Sequence, residues 1–293
     1  MPKGIIVGYF AIDLLWCYIN LASWFSRLCR KMYQSGVFKI WRDSLSVARV
    51  ILKEKGILHA VWYLCSFRTR GFGRFLFDCY SVLYSRACNK PLIHMIGDSH
   101  VKMFRGNRLF VVHHIGAATA HNLGKPNSAT NSNRKLFNII DKISRKDIVV
   151  LVFGEIDCRV HIYYQYKKNN ERRAIGELID GTISNYGRVL EKLRGAGIKF
   201  FVYGVPPATK VRDEYRYPFY APPEIHGQIN RTFNEKLKKF CEEYDYEYID
   251  VHSRFSDESG FMLREYAADE IHLNGRVVDF VKGELKERLG INI

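Results

Sequence analysis

The chain has 293 residues, 47% of them apolar and 14% aromatic, which is enough for a core of domain size and excludes a disordered protein. Its net charge of +15 points to an acidic partner, whether anionic lipid, acidic glycan or nucleic acid. The seven cysteines are scattered and form no Cys-x-x-Cys pair; this excludes a zinc ribbon or redox dithiol and fits buried thiols in a reducing, cytoplasmic compartment.

Residues 1–90 read as a helical, basic arm. They hold 14 Lys/Arg against four Asp/Glu, so +10 of the +15 lies there. The stretch 5–25, IIVGYFAIDLLWCYINLASWF, is near the length of a bilayer span, but Asp13 and Asn20 interrupt it. A secretory leader fits poorly, because only Lys3 precedes the apolar part and no small-residue cleavage site follows. Arg27, Arg30, Lys31, Lys39 and Arg42 come next and would remain on the cytoplasmic side of a membrane. Three readings stay open: an interfacial helix with Trp16, Tyr18, Trp24 and Phe25 at headgroup depth, a single span, or a helix packed on protein. Residues 37–88 interleave Arg with aromatic residues at helical spacing, which suits an anionic membrane surface. No nucleic-acid module is visible, which argues against a nucleic-acid partner. The boundary to the next domain is expected at Asn89–Pro91.

Residues 91–293 alternate strand-like and helix-like runs. Strands are predicted at 91–97, 109–116, 147–154, 198–205 and 246–251. Helices are predicted at about 100–106, 134–144, 174–195, 224–244 and 275–289. Five short apolar strands alternating with helices imply a parallel sheet covered on both faces. The segments 117–133, 157–170, 206–223 and 252–273 read as irregular, and all but the first follow a strand on the edge where such sheets bind ligands.

The chemistry gathers at strand ends. PLIHMIGDSH, residues 91–100, is an apolar strand ending in Gly97, with Asp98 and Ser99 placed to start a helix. A hydroxyl there sits beside free backbone N–H groups that can hold an oxyanion. Gly116 ends the second strand, and GEIDCR, residues 154–159, follows the third. Asp269 and His272 in ADEIHLNG are three residues apart, a spacing at which a carboxylate can orient an imidazole. A Ser activated by such a His is a nucleophile with its base. The five histidines His100, His113, His114, His121 and His161 lack metal-binding spacing, and neither a metal nor another cofactor is implied.

On these residues the domain resembles the SGNH/GDSL hydrolase superfamily over about 91–289. Its Gly-Asp-Ser block stands as Gly97, Asp98 and Ser99. Its second-block glycine is Gly116. Its last block stands as Asp269, His272, Leu273, Asn274 and Gly275. The resemblance implies a flavodoxin-like three-layer α/β/α fold, with Ser99 as nucleophile, His272 as base, Asp269 as its partner, and the amides of Ser99 and Gly116 facing the oxyanion. The third block departs: where the family has Gly-x-Asn-Asp, this chain has Gly154, Glu155, Ile156 and Asp157. Ile156 cannot donate the hydrogen bond that the Asn supplies. Arg159 or His161 could replace it, or Glu155 and Arg159 could pair across one helical turn. The expected site therefore comprises Ser99, Asp269 and His272 for catalysis, with Ser99, Gly116, Gly154, Glu155, Asp157 and Arg159 around the substrate.

The function implied is an esterase or acyl transferase working through an acyl-serine, on an acylated and acidic glycan. The loop 206–223, dense in Tyr, Arg and Pro, suits sugar rings and acidic groups. The basic arm places such an enzyme at the cytoplasmic face of a membrane. Two alternatives are a lipid esterase, from the apolar N-terminus, and a silent glycan-binding or scaffold module, from Ile156.

Overall fold

The computed structural model describes residues 77–78, 80–210 and 221–290. The expectations for residues 1–76, and for 211–220 of the Tyr/Arg/Pro-rich loop, lie outside them. The described residues belong to one unit that starts at Phe77. Among them no helix is long and apolar enough to cross a membrane. Of the cysteines described as free thiols, Cys158 and Cys241 are buried and Cys88 is exposed.

Five strands form one parallel sheet: β1 (Ile93–Gly97), β2 (Phe110–His114), β3 (Ile148–Val152), β4 (Lys199–Tyr203) and β5 (Glu247–Ile249). All five predicted strands are present, each shorter by one or more residues at its ends. The order is β2-β1-β3-β4-β5. The winding reverses between β1 and β3, so a crevice opens there at the C-terminal edge. In register, Gly97 stands opposite His114 on one side and Val152 on the other.

The helices are α1 (Ala120–Leu123), α2 (Ser132–Ile140), α3 (Ile162–Lys168), α4 (Ile175–Gly195), α5 (Pro223–Glu243), α6 (Val251–Phe255) and α7 (Arg276–Leu289). Strand alternation sorts the core into two clusters. Val149 and Leu151 pack with Leu136, Ile162, Ile183, Tyr186 and Phe233, from α2 to α5. Ile148, Val150 and Val152 pack with Phe104, Phe255, Val277 and Val281 on the other face. β1 and β3 are buried along their whole length, which is why they read as unbroken apolar runs. The result is the three-layer arrangement.

Four predicted segments differ, two of them by short helices only: 117–133 contains α1, and 252–273 contains most of α6 and a 3-10 turn, Arg264–Tyr266. The helix after β1 is a 3-10 helix, Ser99–Phe104. The segment 157–170 is mostly helical: a π-helical turn, Asp157–His161, runs into α3. The wide turn breaks the 3.6-residue period. Buried Cys158, Val160 and Ile162 therefore alternate in a way that conceals the helix.

Candidate active site

β1 ends at Gly97, paired with Val152 at the end of β3. A Cβ on Gly97 would lie 2.2 Å from the Val152 carbonyl oxygen, so only glycine fits there. Asp98 then caps the 3-10 helix, its Oδ1 accepting the His100 amide at 2.9 Å. This leaves Ser99 as the first helical residue, and its Oγ lies 2.7 Å from His272 Nε2.

His272 comes from the loop before α7. Asp269 shapes that loop by accepting the amides of Ile271 and His272 at 2.8 and 2.7 Å. The same carboxylate takes His272 Nδ1 at 2.8 Å. Burial would raise the Asp269 pKa, but the amides of His272 and Ile271 and the His272 ring outweigh it and hold the carboxyl below its usual range. Leu273 is buried and anchors the loop. Asn274 spans from the Glu265 carbonyl to the Arg276 amide and so fixes the start of α7. Ser99, His272 and Asp269, expected from the sequence, therefore stand in one hydrogen-bonded line, with Nε2 toward Ser99 when Nδ1 carries its proton to Asp269.

Gly116 adopts φ +96°, a left-handed conformation that favours glycine. In the peptide that joins it to Ile115, the carbonyl accepts from Lys135 Nζ at 3.0 Å; in the peptide before that, the Ile115 amide donates to the Gly97 carbonyl at 2.9 Å. A peptide C=O and the following N–H point in opposite directions. Lys135 on the carbonyl therefore sets the direction of the Gly116 N–H. The amides of Ser99 and Gly116 make no hydrogen bond among the described residues, which leaves both as donors.

The third block needs correction. Asp157 is fully buried, and its two oxygens accept the amides of Ala120 and His121 at 2.6 and 3.1 Å. It fastens the start of α1 and does not face substrate. Burial pushes its pKa up to about 7 against these amide contacts. Gly154 is a packing position, since a Cβ there would meet Val205 at 2.7 Å. Glu155 and Arg159 form the pair expected from their spacing, Arg159 Nε donating to Oε1 at 2.5 Å. Ile156 is half-buried and brings no donor.

His100, next to Ser99, is not among the site residues expected from the sequence. Its Nδ1 lies 2.9 Å from Asp98 Oδ1, and its Nε2 3.2 Å from the Ile271 carbonyl. Burial alone would lower its pKa. The charge and hydrogen bond of Asp98, with Glu155 and the Ile271 carbonyl, overcome this and raise it to about 9. His100 is therefore an imidazolium clamp between the Ser99 turn and the residue before His272, its ring centroid 4.6 Å from that of His272. A histidine two residues after a capping Asp, close enough to bond back to it, was the available signal. Among the described residues, Asp98, His100 and Glu155 are the one group close enough to share a cation, their ligand atoms lying within 4.8 Å of one another. They do not fit one, because His100 turns both ring nitrogens to protein acceptors and Glu155 holds Arg159. His113 is hydrogen-bonded to His94 at 2.9 Å, and His114 is exposed.

A model of the GDSL-like lipase/acylhydrolase family matches residues 96–277, from the end of β1 to the first turn of α7. The chain belongs to that family, whose members hydrolyse esters. Among solved structures, it is similar to a GDSL-like lipase from Bacteroides thetaiotaomicron (14% identity, 73% of this chain and 97% of that one, TM-score 0.46). It is also similar to a carbohydrate acetylesterase from Sinorhizobium meliloti (16% identity, 66% and 99%, TM-score 0.44), and to an acetyl xylan esterase (16% identity, 67% and 98%, TM-score 0.42). No curated protein matches the chain.

Proposed function

We propose that the protein is a serine esterase or acyl transferase that works through an acyl-serine on an acylated, acidic glycan. The observation that carries this reading is the line from Ser99 Oγ through His272 to Asp269, with separations of 2.7 and 2.8 Å. Ser99 Oγ attacks the ester carbonyl as its proton passes to His272 Nε2. The oxyanion forms against the amides of Ser99 and Gly116. Collapse expels the alcohol, which takes the proton from His272 and leaves acyl-Ser99. Water then attacks with His272 as base and regenerates the serine; a sugar hydroxyl in place of water gives acyl transfer. Asp269 holds the imidazole in the tautomer this cycle needs.

Support for a glycan is the chain's basic balance and the Tyr, Asn and Arg in the sequences that follow its strands. The Ser99–His272 contact favours an enzyme over a silent binding module. With Ile156 in place of the third donor, two amides hold the oxyanion, and the rate sits about 10²–10³ below that of a three-donor site. Hydrolysis of an aryl acetate tests the reading. Ser99→Ala and His272→Ala should each lower kcat by about 10⁴ or more. Equal turnover in Ser99→Ala would remove the acyl-serine. Addition of an acidic oligosaccharide should divert acyl groups to sugar if the enzyme is a transferase.

A further inference from the structure

We propose that the cavity between α1, the π-turn with α3, and α4 binds a phosphate-type dianion, a phosphomonoester or diphosphate group of a small ligand. The cavity measures about 620 Å³, within the range of ligand sites. Lys125, Arg173 and Arg188 line it together with His121 and His161, and no Asp or Glu does. A second cleft of about 460 Å³ shares His121, Lys125, Asn185 and Arg188 with it, and adds Lys192 and one acid, Glu191. Ser99, Gly116 and His272 line neither cavity.

The cations are held ready. Lys125 and Arg188 make no ion pair or side-chain hydrogen bond among the described residues. Arg173 has one loose partner, Glu177 at 3.9 Å, on an exposed surface. Asn185 Nδ2 donates to His121 Nδ1 at 3.3 Å. Thr182 Oγ1, which donates to the Leu178 carbonyl, lies 3.5 Å from the same nitrogen, and His121 Nε2 has no partner among the described residues. Burial, then Lys125, His161 and Arg173, lower the His121 pKa to about 4. Burial and Lys125 lower that of His161 as well. In both rings burial is the larger cause, and the neighbouring cations add to it. Two guanidinium forks and an ammonium around ring N–H donors match a doubly charged group with several acceptor oxygens; a lone carboxylate would leave most of them unused.

The test is calorimetric titration of the full chain with sodium pyrophosphate at fixed ionic strength. Binding should be saturable. Arg188→Ala and Lys125→Ala, both at exposed positions, should each weaken it about tenfold or more. Lys286→Ala, an exposed lysine on α7, should leave it unchanged. The His121 ring, followed by NMR, should titrate above about 4 once pyrophosphate is bound, because the anion offsets the lowering by Lys125, His161 and Arg173. No binding at millimolar pyrophosphate, or equal affinity in all three variants, overturns the proposal. Vesicles of phosphatidylcholine doped with phosphatidic acid separate the sources. Retention lost in Arg188→Ala assigns a lipid headgroup, and pyrophosphate binding with retention unchanged by the variant assigns a soluble ligand.

Discussion

At the scale of residues, the site depends on groups that never touch substrate. His100 carries charge because Asp98 lies 2.9 Å away in a buried setting. Its folded pKa of about 9 stands above the unfolded 6.5. Its contribution to stability is therefore fully present below pH about 6.5 and lost as pH rises through about 9. His100→Gln leaves the Asp98 carboxylate buried without its counter-charge, a loss on the order of 3 kcal/mol. Thermal melts at neutral pH should show a Tm lower by about 5–10 °C. The gap to the wild type should narrow between pH 7 and 10, and a pH-independent gap would show that His100 is neutral. Lys135 is a positioning residue of a different kind. Lys135→Met should lower kcat by about 10–10² with KM little changed, as the Gly116 amide turns from the oxyanion. Lys135→Arg should restore most of the rate. A change confined to KM would place Lys135 against substrate instead.

At the scale of elements, the third block bears on α1 as well as on the site. Asp157 remains, but as a buried anchor for α1; Asp157→Ala strands the amides of Ala120 and His121 at a cost of about 1–3 kcal/mol for each left unsatisfied. Hydrogen exchange at those two amides should speed up, while those of β1 and β3 stay protected. Unchanged exchange at Ala120 would detach α1 from this anchor. The strands were legible because burial on both faces leaves a local mark, a run such as IVVLV at 148–152. The triad was legible because each block keeps its chemistry within a few residues. The helix after β3 was not, since a π-turn erases the periodicity by which helices are recognised. Nor were His100's bond to the Ile271 carbonyl, 171 positions away, and Lys135's bond to that of Ile115. Both are products of packing, and a single lysine or histidine in a chain carries no sign of its distant partner.

At the scale of the molecule, the charge is lopsided. Residues 1–90 hold +10 of the +15, and 91–293 the remaining +5. An acylhydrolase domain joined to so basic an arm should associate with anionic vesicles through screened electrostatics. Sedimentation of the full chain with phosphatidylserine vesicles should therefore fall steeply between low and high salt. Salt-independent association would point to the apolar stretch 5–25 as the anchor. The catalytic claim is tested most directly by mass spectrometry after treatment with a fluorophosphonate. The wild type should carry one stoichiometric phosphonyl group, on Ser99, and His272→Ala should label at least about 10³ times more slowly. Labelling elsewhere, or labelling of Ser99 that proceeds equally fast without His272, would contradict it.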